Sequence, residues 1–288
     1  AMDAGAAGVM LYGISLLAGL LGSGDLPELA ARLNVVLGQG AGVTDPAVRT
    51  VLLGILMVMV GLAFKLSLVP FHFWCPDAFE GASAEVAGFL SVASKAGAFA
   101  LQVRFVLAFV GGEPGAMTNL NLYLGIALGV VAAVTATFGN LAAYAQTNAK
   151  RLLAYSTIAH AGYMLMAVSA LLVILSGPQG SSLSPEEISF GARRALEGLM
   201  YYLLVYLFMN LGAFAVVALI RNEIFSEEIE DYSGLVETAP VLCVCMLICL
   251  FSLVGIPPFG GFMAKLMIFA SLVPAAEIHW SMWVILLA

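Results

Sequence analysis

Polar residues cluster in a few places along this chain and divide it into seven apolar stretches, near residues 4–22, 49–74, 84–110, 119–145, 152–176, 195–220 and 239–273. Roughly 20 consecutive apolar residues cross a bilayer as a helix, so each stretch predicts one span. Strands fit poorly, because barrel segments are short and alternate in polarity. An eighth apolar run, Ile278 to Ala288, is too short to span. The polar connectors carry signals of their own. Leu26 to Leu37 is amphipathic and predicts a short helix on the membrane surface. Gln146-Thr147-Asn148-Ala149-Lys150-Arg151 is a tight linker. Ser184-Pro185-Glu186-Glu187 reads as a helix start, with Ser at the N-cap, Pro at the first helical position and acids facing the helix dipole.

Two spans, the second and the seventh, contain helix breakers. Pro70 lacks an amide proton and clashes with the carbonyl of Leu66, and Pro257 and Pro258 do the same to Leu253 and Val254. Gly255, Gly260 and Gly261 lower the cost of unwinding at the second break. The neighbourhoods are alike, with Ser67-Leu68-Val69-Pro70-Phe71 in one and Ser252-Leu253-Val254-Gly255-Ile256-Pro257-Pro258-Phe259 in the other. Five steps separate the two spans, so they cross in opposite directions, the pattern of an inverted repeat with discontinuous helices. Carbonyls freed at membrane depth are tolerated only where protein or cavity water satisfies them. A purely structural kink is the plainer alternative.

Composition places the chain in lipid. It is 62% apolar and 10% charged, with a mean hydropathy of +1.02, against about 25% charged residues in soluble domains. The net charge of -7 and the lack of clustered Lys and Arg argue against nucleic-acid binding. Of the four cysteines, Cys243, Cys245 and Cys249 share one apolar helix with no His or carboxylate nearby, and with Cys75 they read as small buried hydrophobes. There is no Gly-rich dinucleotide fingerprint, no P-loop and no iron–sulfur cysteine spacing. Any redox chemistry that drives this protein is therefore expected in another subunit. Loop Lys and Arg fall on both sides of the membrane, so charge alone does not orient the chain. The start at Ala1, without an initiator Met or a basic leader, reads as an internal piece of a longer polytopic protein.

The candidate chemistry lies in ionisable residues within the spans, namely Lys65, Lys95, His160 and Lys265, with His72 just past Pro70. A charge at the bilayer centre costs about 2.5–3.5 kcal/mol, so three lysines together cost about 8–10 kcal/mol. They must be paired, hydrated or partly deprotonated, and an amine poised between two protonation states is what a proton relay needs. Each has a plainer reading. A lysine near a helix end can snorkel, as can Arg104 late in its span, and His160 or His72 can be a core histidine bonded to a carbonyl.

The run Phe64-Lys65-Leu66-Ser67-Leu68-Val69-Pro70-Phe71-His72-Phe73-Trp74, continuing through Pro76-Asp77 to Glu80-Gly81-Ala82, resembles the seventh-helix signature of the antiporter-like subunit N family of respiratory complex I, NADH–quinone oxidoreductase. Phe89 to Lys95, Gly139-Asn140, Gln146 to Tyr163 and Phe251 to Lys265 carry the resemblance further, over essentially the whole chain. The sister subunits L and M usually have Asp at the place of Asn148, and M usually has Glu at the place of Lys265. Asp231-Tyr232-Ser233-Gly234-Leu235 also resembles subunit N.

The resemblance implies an all-α polytopic membrane protein, an antiporter-like inverted-repeat bundle with two proline-broken helices. Residues 1–288 would form a single membrane domain, the sixth to the start of the thirteenth of fourteen helices. By position, Lys65, Lys95, His160 and Lys265 match the family's hydrophilic axis, and His72 matches another channel-lining residue. The glutamate that pairs with the lysine matched by Lys65 would precede Ala1. The loop between the seventh and eighth helices would face the cytoplasm of a bacterial inner membrane. The implied function is proton translocation coupled to electron transfer from NADH to quinone, with the other membrane-arm subunits and the bilayer as partners. NADH, FMN, iron–sulfur clusters and quinone would sit in other subunits, with no cofactor or metal in this chain. A multisubunit cation/proton antiporter of related fold and a scaffold that only holds its neighbours are the rival readings.

Overall fold

A computed structural model describes residues 2–38, 45–108, 116–177 and 183–287. Helix α1 (Met2–Leu21) is followed by α2 (Leu26–Gly38), α3 (Pro46–Lys65), α4 (Trp74–Gly81) and α5 (Ala84–Phe89). A wide π turn over Leu90–Ser94 leads into α6 (Lys95–Ala108), then α7 (Ala116–Ala143), α8 (Ala149–Leu175) and α9 (Pro185–Ile224). A 3₁₀ turn at Ile229–Tyr232 precedes α10 (Leu235–Thr238), α11 (Pro240–Val254), α12 (Gly260–Ile278) and α13 (Ser281–Leu287). Among the described residues, 7 helical segments are long and apolar enough to cross a membrane, and they fall on the seven stretches read from the sequence.

The boundaries differ in instructive ways. The second stretch stops helically at Lys65 and resumes at Trp74 as α4. The seventh is two helices, α11 and α12, with the second running on to Ile278. The third is interrupted by the π turn, which no Pro signals. The sixth begins ten residues early, because the Ser184 start is the start of this same helix. Ser184 Oγ accepts the Glu187 amide at 3.3 Å and Glu187 accepts the Ser184 amide at 2.7 Å, a complete capping box. At 40 residues, α9 is about 60 Å long. The amphipathic α2 buries Leu29, Ala30 and Leu33, while Arg32 donates to Leu21 O at 2.5 Å and so caps α1.

Helix α8 is the axis of the bundle, flanked by α7, α9 and α12 and buried along almost its whole length. Small residues let it approach α7 closely. A Cβ on Gly162 would lie 2.6 Å from Ala136 N, and one on Gly139 would lie 2.6 Å from Ala159 N. With so little hydrophobic force between helices in lipid, such contacts supply the packing.

One end of the bundle is tied by polar loops. Asn148 caps α8, accepting from Lys150 N at 3.0 Å and Arg151 N at 3.2 Å. Its backbone bridges Glu228 beyond α9. The buried Lys150 ammonium pairs with Glu227 at 2.8 Å and donates to Ala82 O at 2.7 Å, and Arg151 reaches Asp77 and Glu80 at 3.0 and 2.6 Å. Burial and the Glu227 and Glu228 carboxylates push the nearby Tyr232 phenol up to about 12. Here α4 ends and the segment leading into α11 begins, so the two broken helices do run in opposite directions. Replacing Lys150 by Met should leave Glu227 with Arg221 alone (3.1 Å). The expected loss is about 3 kcal/mol, read as a lower melting temperature of the detergent-solubilised protein, and an unchanged melting temperature would contradict the clamp.

Candidate functional site

The two breaks are the same structure built twice. In the first, Ser67 is left-handed (φ 58), its amide donates to Phe64 O at 3.1 Å, and Leu68 N donates to Ala63 O at 2.9 Å. In the second, Gly255 is left-handed (φ 85), its amide donates to Ser252 O at 3.1 Å, and Ile256 N donates to Phe251 O at 3.1 Å. Both are Schellman endings. The Val69–Pro70 and Pro257–Pro258 peptides are cis.

This register corrects the sequence alignment of the repeat. Ser67 corresponds to Gly255 and not to Ser252, and Pro70 corresponds to Pro258. Lys65 is then the last helical residue before its break, whereas Lys265 lies one helical segment after its own. The scaffold repeats and the cation does not.

The carbonyls freed by Pro257 and Pro258 find their partner in that cation. Lys265 Nζ donates to Leu253 O at 3.1 Å and to Val254 O at 3.0 Å. It also stands 4.7 Å above the ring of Tyr163, whose hydroxyl accepts from Asn140 Nδ2 at 2.7 Å. The ammonium thus sits at the carbonyl end of α11, where the helix dipole favours a cation, and over an aromatic face. Gly261 makes the fold-back possible, since a Cβ there would lie 1.7 Å from Ser252 O. At the first break the satisfaction is different. Val69 N donates to Thr135 Oγ1 at 3.1 Å, and Trp74 Nε1 donates to Phe64 O at 3.0 Å.

The other sequence candidates are distributed along the bundle. Lys95, 2% exposed, follows the π turn directly and donates to the backbone carbonyl of Thr157. His160, one turn beyond Thr157, is 3% exposed, and its Nδ1 lies 2.6 Å from the Tyr202 hydroxyl. That hydroxyl, and not a backbone carbonyl, is its partner. His160 and Lys265 line one cavity of about 530 Å³ with Tyr163 and Asn140. Lys65 is exposed and faces a separate cavity of about 630 Å³ between α1, α3 and the π turn. His72 is buried against Phe73 and Phe138, and its Nδ1 has no hydrogen-bond partner. The structure therefore brings Lys95, His160 and Lys265 together around α8 and leaves Lys65 and His72 apart from them.

Several polar groups in this region escaped the sequence reading. Tyr202 and Tyr206 are fully buried on α9, with His160 5.8 and 5.2 Å from their ring centroids. Asn210 Nδ2 donates to Ser91 Oγ at 2.5 Å inside the π turn, and Cys75 Sγ approaches Thr157 Oγ1 at 3.8 Å. Cys75 is buried as expected, yet it touches the polar row. Two tyrosines four apart in the apolar middle of this helix, Tyr202 and Tyr206, were the available signal, because buried phenols need partners.

The family described as "NADH:quinone oxidoreductase/Mrp antiporter, TM" matches residues 2–176 and 187–288. The chain belongs to that family. Within the NADH:quinone oxidoreductase/Mrp antiporter family it is 44% identical over 270 residues to NADH-quinone oxidoreductase subunit N of Anaeromyxobacter sp. (strain Fw109-5), covering 92% of this chain and 48% of that one. It is 38% identical to the subunit N of Desulforamulus reducens, covering 97% of this chain and 50% of that one. The chain spans about half the length of the curated relatives it matches. Among solved structures it resembles a chain of respiratory complex I from Thermus thermophilus, with a TM-score of 0.68 at 33% identity, over 99% of this chain and 53% of that one. A chain of the Mrp complex from Dietzia sp. DQ12-45-1b shares the fold, with a TM-score of 0.72 at 24% identity, over 99% of this chain and 47% of that one.

The geometry of the second break is testable apart from any activity. Gly261→Ala should force the start of α12 off Ser252 and withdraw Lys265 from its two carbonyls. The expected cost is about 1–3 kcal/mol, typical of overpacking, read as reduced thermal stability, and a variant as stable as the parent would contradict the fold-back.

Proposed function

We propose that this chain is the proton-translocating part of a complex I membrane-arm subunit, coupling electron transfer from NADH to quinone to proton movement across a bacterial inner membrane. One observation carries the reading most. Lys95, His160 and Lys265 are held in apolar surroundings by carbonyls, a phenol and an aromatic face, and among the described residues no carboxylate is bonded to any of them. A permanent charge is costly to keep this way, whereas a group that gains and loses a proton in turnover needs a site tolerable in both states. Subunit N relatives at 38–44% identity support the same reading.

In this proposal Lys65, Lys95, His160 and Lys265 form the relay, with His72 as a further residue lining its path. Pro257 and Pro258 open the seventh span and give Lys265 its acceptors, and Pro70 breaks the second span beside Lys65. A charge change near Lys65 alters the proton affinity of Lys95, and then of His160 and Lys265, through water and Coulomb coupling. Moving one charge against 100 mV requires about 2.3 kcal/mol, which coupling between groups in a low-dielectric interior can supply. NADH, FMN, iron–sulfur clusters and quinone would be held by other subunits of the complex, whose membrane-arm members and surrounding lipid are this chain's partners.

Lys265→Met in the intact complex tests the reading. It should lower the protons moved per electron pair severalfold while the complex still assembles. An unchanged stoichiometry would reject the role.

A further inference from the structure

His160 is buried on every side, yet one of its ring nitrogens is already assigned. Tyr202, fully buried on α9, places its hydroxyl 2.6 Å from Nδ1. A phenol is both donor and acceptor, and an imidazole nitrogen is one or the other. Nδ1 is the hydrogen-bond partner found for the Tyr202 hydroxyl. If Nδ1 carried the proton, the phenol would accept and its own O–H would be left unmade in a dry interior, at a cost of about 1–3 kcal/mol. The hydroxyl therefore donates to Nδ1, and the imidazole proton resides on Nε2. His160 also lines the cavity that holds Lys265 and Tyr163, so Nε2 is the nitrogen left to serve that cavity.

A second buried phenol neighbours His160. Tyr206 lies one turn along α9, with its ring 5.2 Å from His160. Its hydroxyl is buried near Ser91 and Thr157 and makes no hydrogen bond of ordinary geometry. It is thus a buried hydroxyl without a partner among the described residues.

We propose that Tyr202 is a positioning residue that gates the charging of His160. Its hydroxyl donates to Nδ1, fixes the Nε2–H tautomer and turns that N–H toward the Lys265 cavity, and a second proton on Nδ1 would require the phenol to give up donating and leave its own O–H unmade. No heavy-atom bond is made or broken. The groups facing His160 during this change are Lys95 ahead of it, Lys265 and Tyr163 across the cavity, and Tyr206 on α9. The proposal rests on the proton-translocating reading above.

The test uses the intact complex in energised vesicles. Tyr202→Phe keeps the ring and removes the hydroxyl, so protons per electron pair should fall, and the pH profile of pumping should move together with the stoichiometry. His160→Gln should have the same effect, and the double variant should be no worse than His160→Gln alone, because the two residues act through one interaction. A parent-like stoichiometry and pH profile in Tyr202→Phe would overturn the proposal, and so would additive losses in the double variant. Should Tyr202→Phe fail to assemble, Tyr202→Gln keeps a donor at the same depth. It is expected to pump with a displaced pH profile, and an undisplaced profile would overturn the proposal. Normal pumping in Tyr202→Phe beside depressed pumping in Lys265→Met would sink the gate and leave the translocation reading standing. Normal pumping in both would sink the reading itself.

Discussion

Inside a bilayer no water is at hand to satisfy a carbonyl or solvate an ammonium, and most of this structure stems from that shortage. The bond from Lys265 to the carbonyls of Leu253 and Val254 meets both needs at once. Prolines remove two helical hydrogen bonds, and a lysine from the next helix replaces them. The helix break and the buried cation are each costly alone, and together each lowers the other's cost. Gly261, with Ser252 O where its Cβ would be, is what lets the two halves fold back closely enough.

The first break shows the same backbone solved with different chemistry. Its Schellman ending matches the second, but among the described residues no lysine folds over it; a threonine of α7 accepts the Val69 amide and a tryptophan indole donates to Phe64 O. Lys65 ends its helix and faces a cavity instead of folding back over the break. The inverted repeat is therefore a repeat of turns, onto which each half places its cation separately. A serine in the left-handed position of the first break, where the second has glycine, fits the same view, since the backbone conformation is kept at some cost to the residue that holds it.

Much of this was legible in the chain. Span count, the two breaks and the freed Leu253 and Val254 carbonyls come from apolar length and proline chemistry, which act locally. The Ser184 cap was legible for the same reason. What could not be read depends on three-dimensional register. The repeat was aligned on its serines, whereas the hydrogen bonds align Ser67 with Gly255. The π turn at Leu90–Ser94 leaves no mark, since Leu-Ser-Val-Ala-Ser continues the ordinary helical periodicity. Tyr202 and Tyr206 carry no local mark of their role, since only the packing of α9 against α8 brings them to His160. Lys150 looked like a charge for orienting the chain and proved to be a buried tie between three loops.

That π turn decides where one amine points. Along residues 84–106 the buried positions keep a steady helical spacing, from Ala84, Ala87 and Gly88 through Ser91 and Val92 to Lys95, Ala98, Phe99 and Gln102. A uniform helix would set all of them against one neighbour. The wider turn advances less per residue and so swings everything after it by roughly a quarter revolution. The stripe accordingly changes partners midway. Gly88 looks onto Phe214 of α9, while Lys95 meets a carbonyl of α8. The same string of letters wound without that widening would turn the ammonium away from the carbonyl that now receives it.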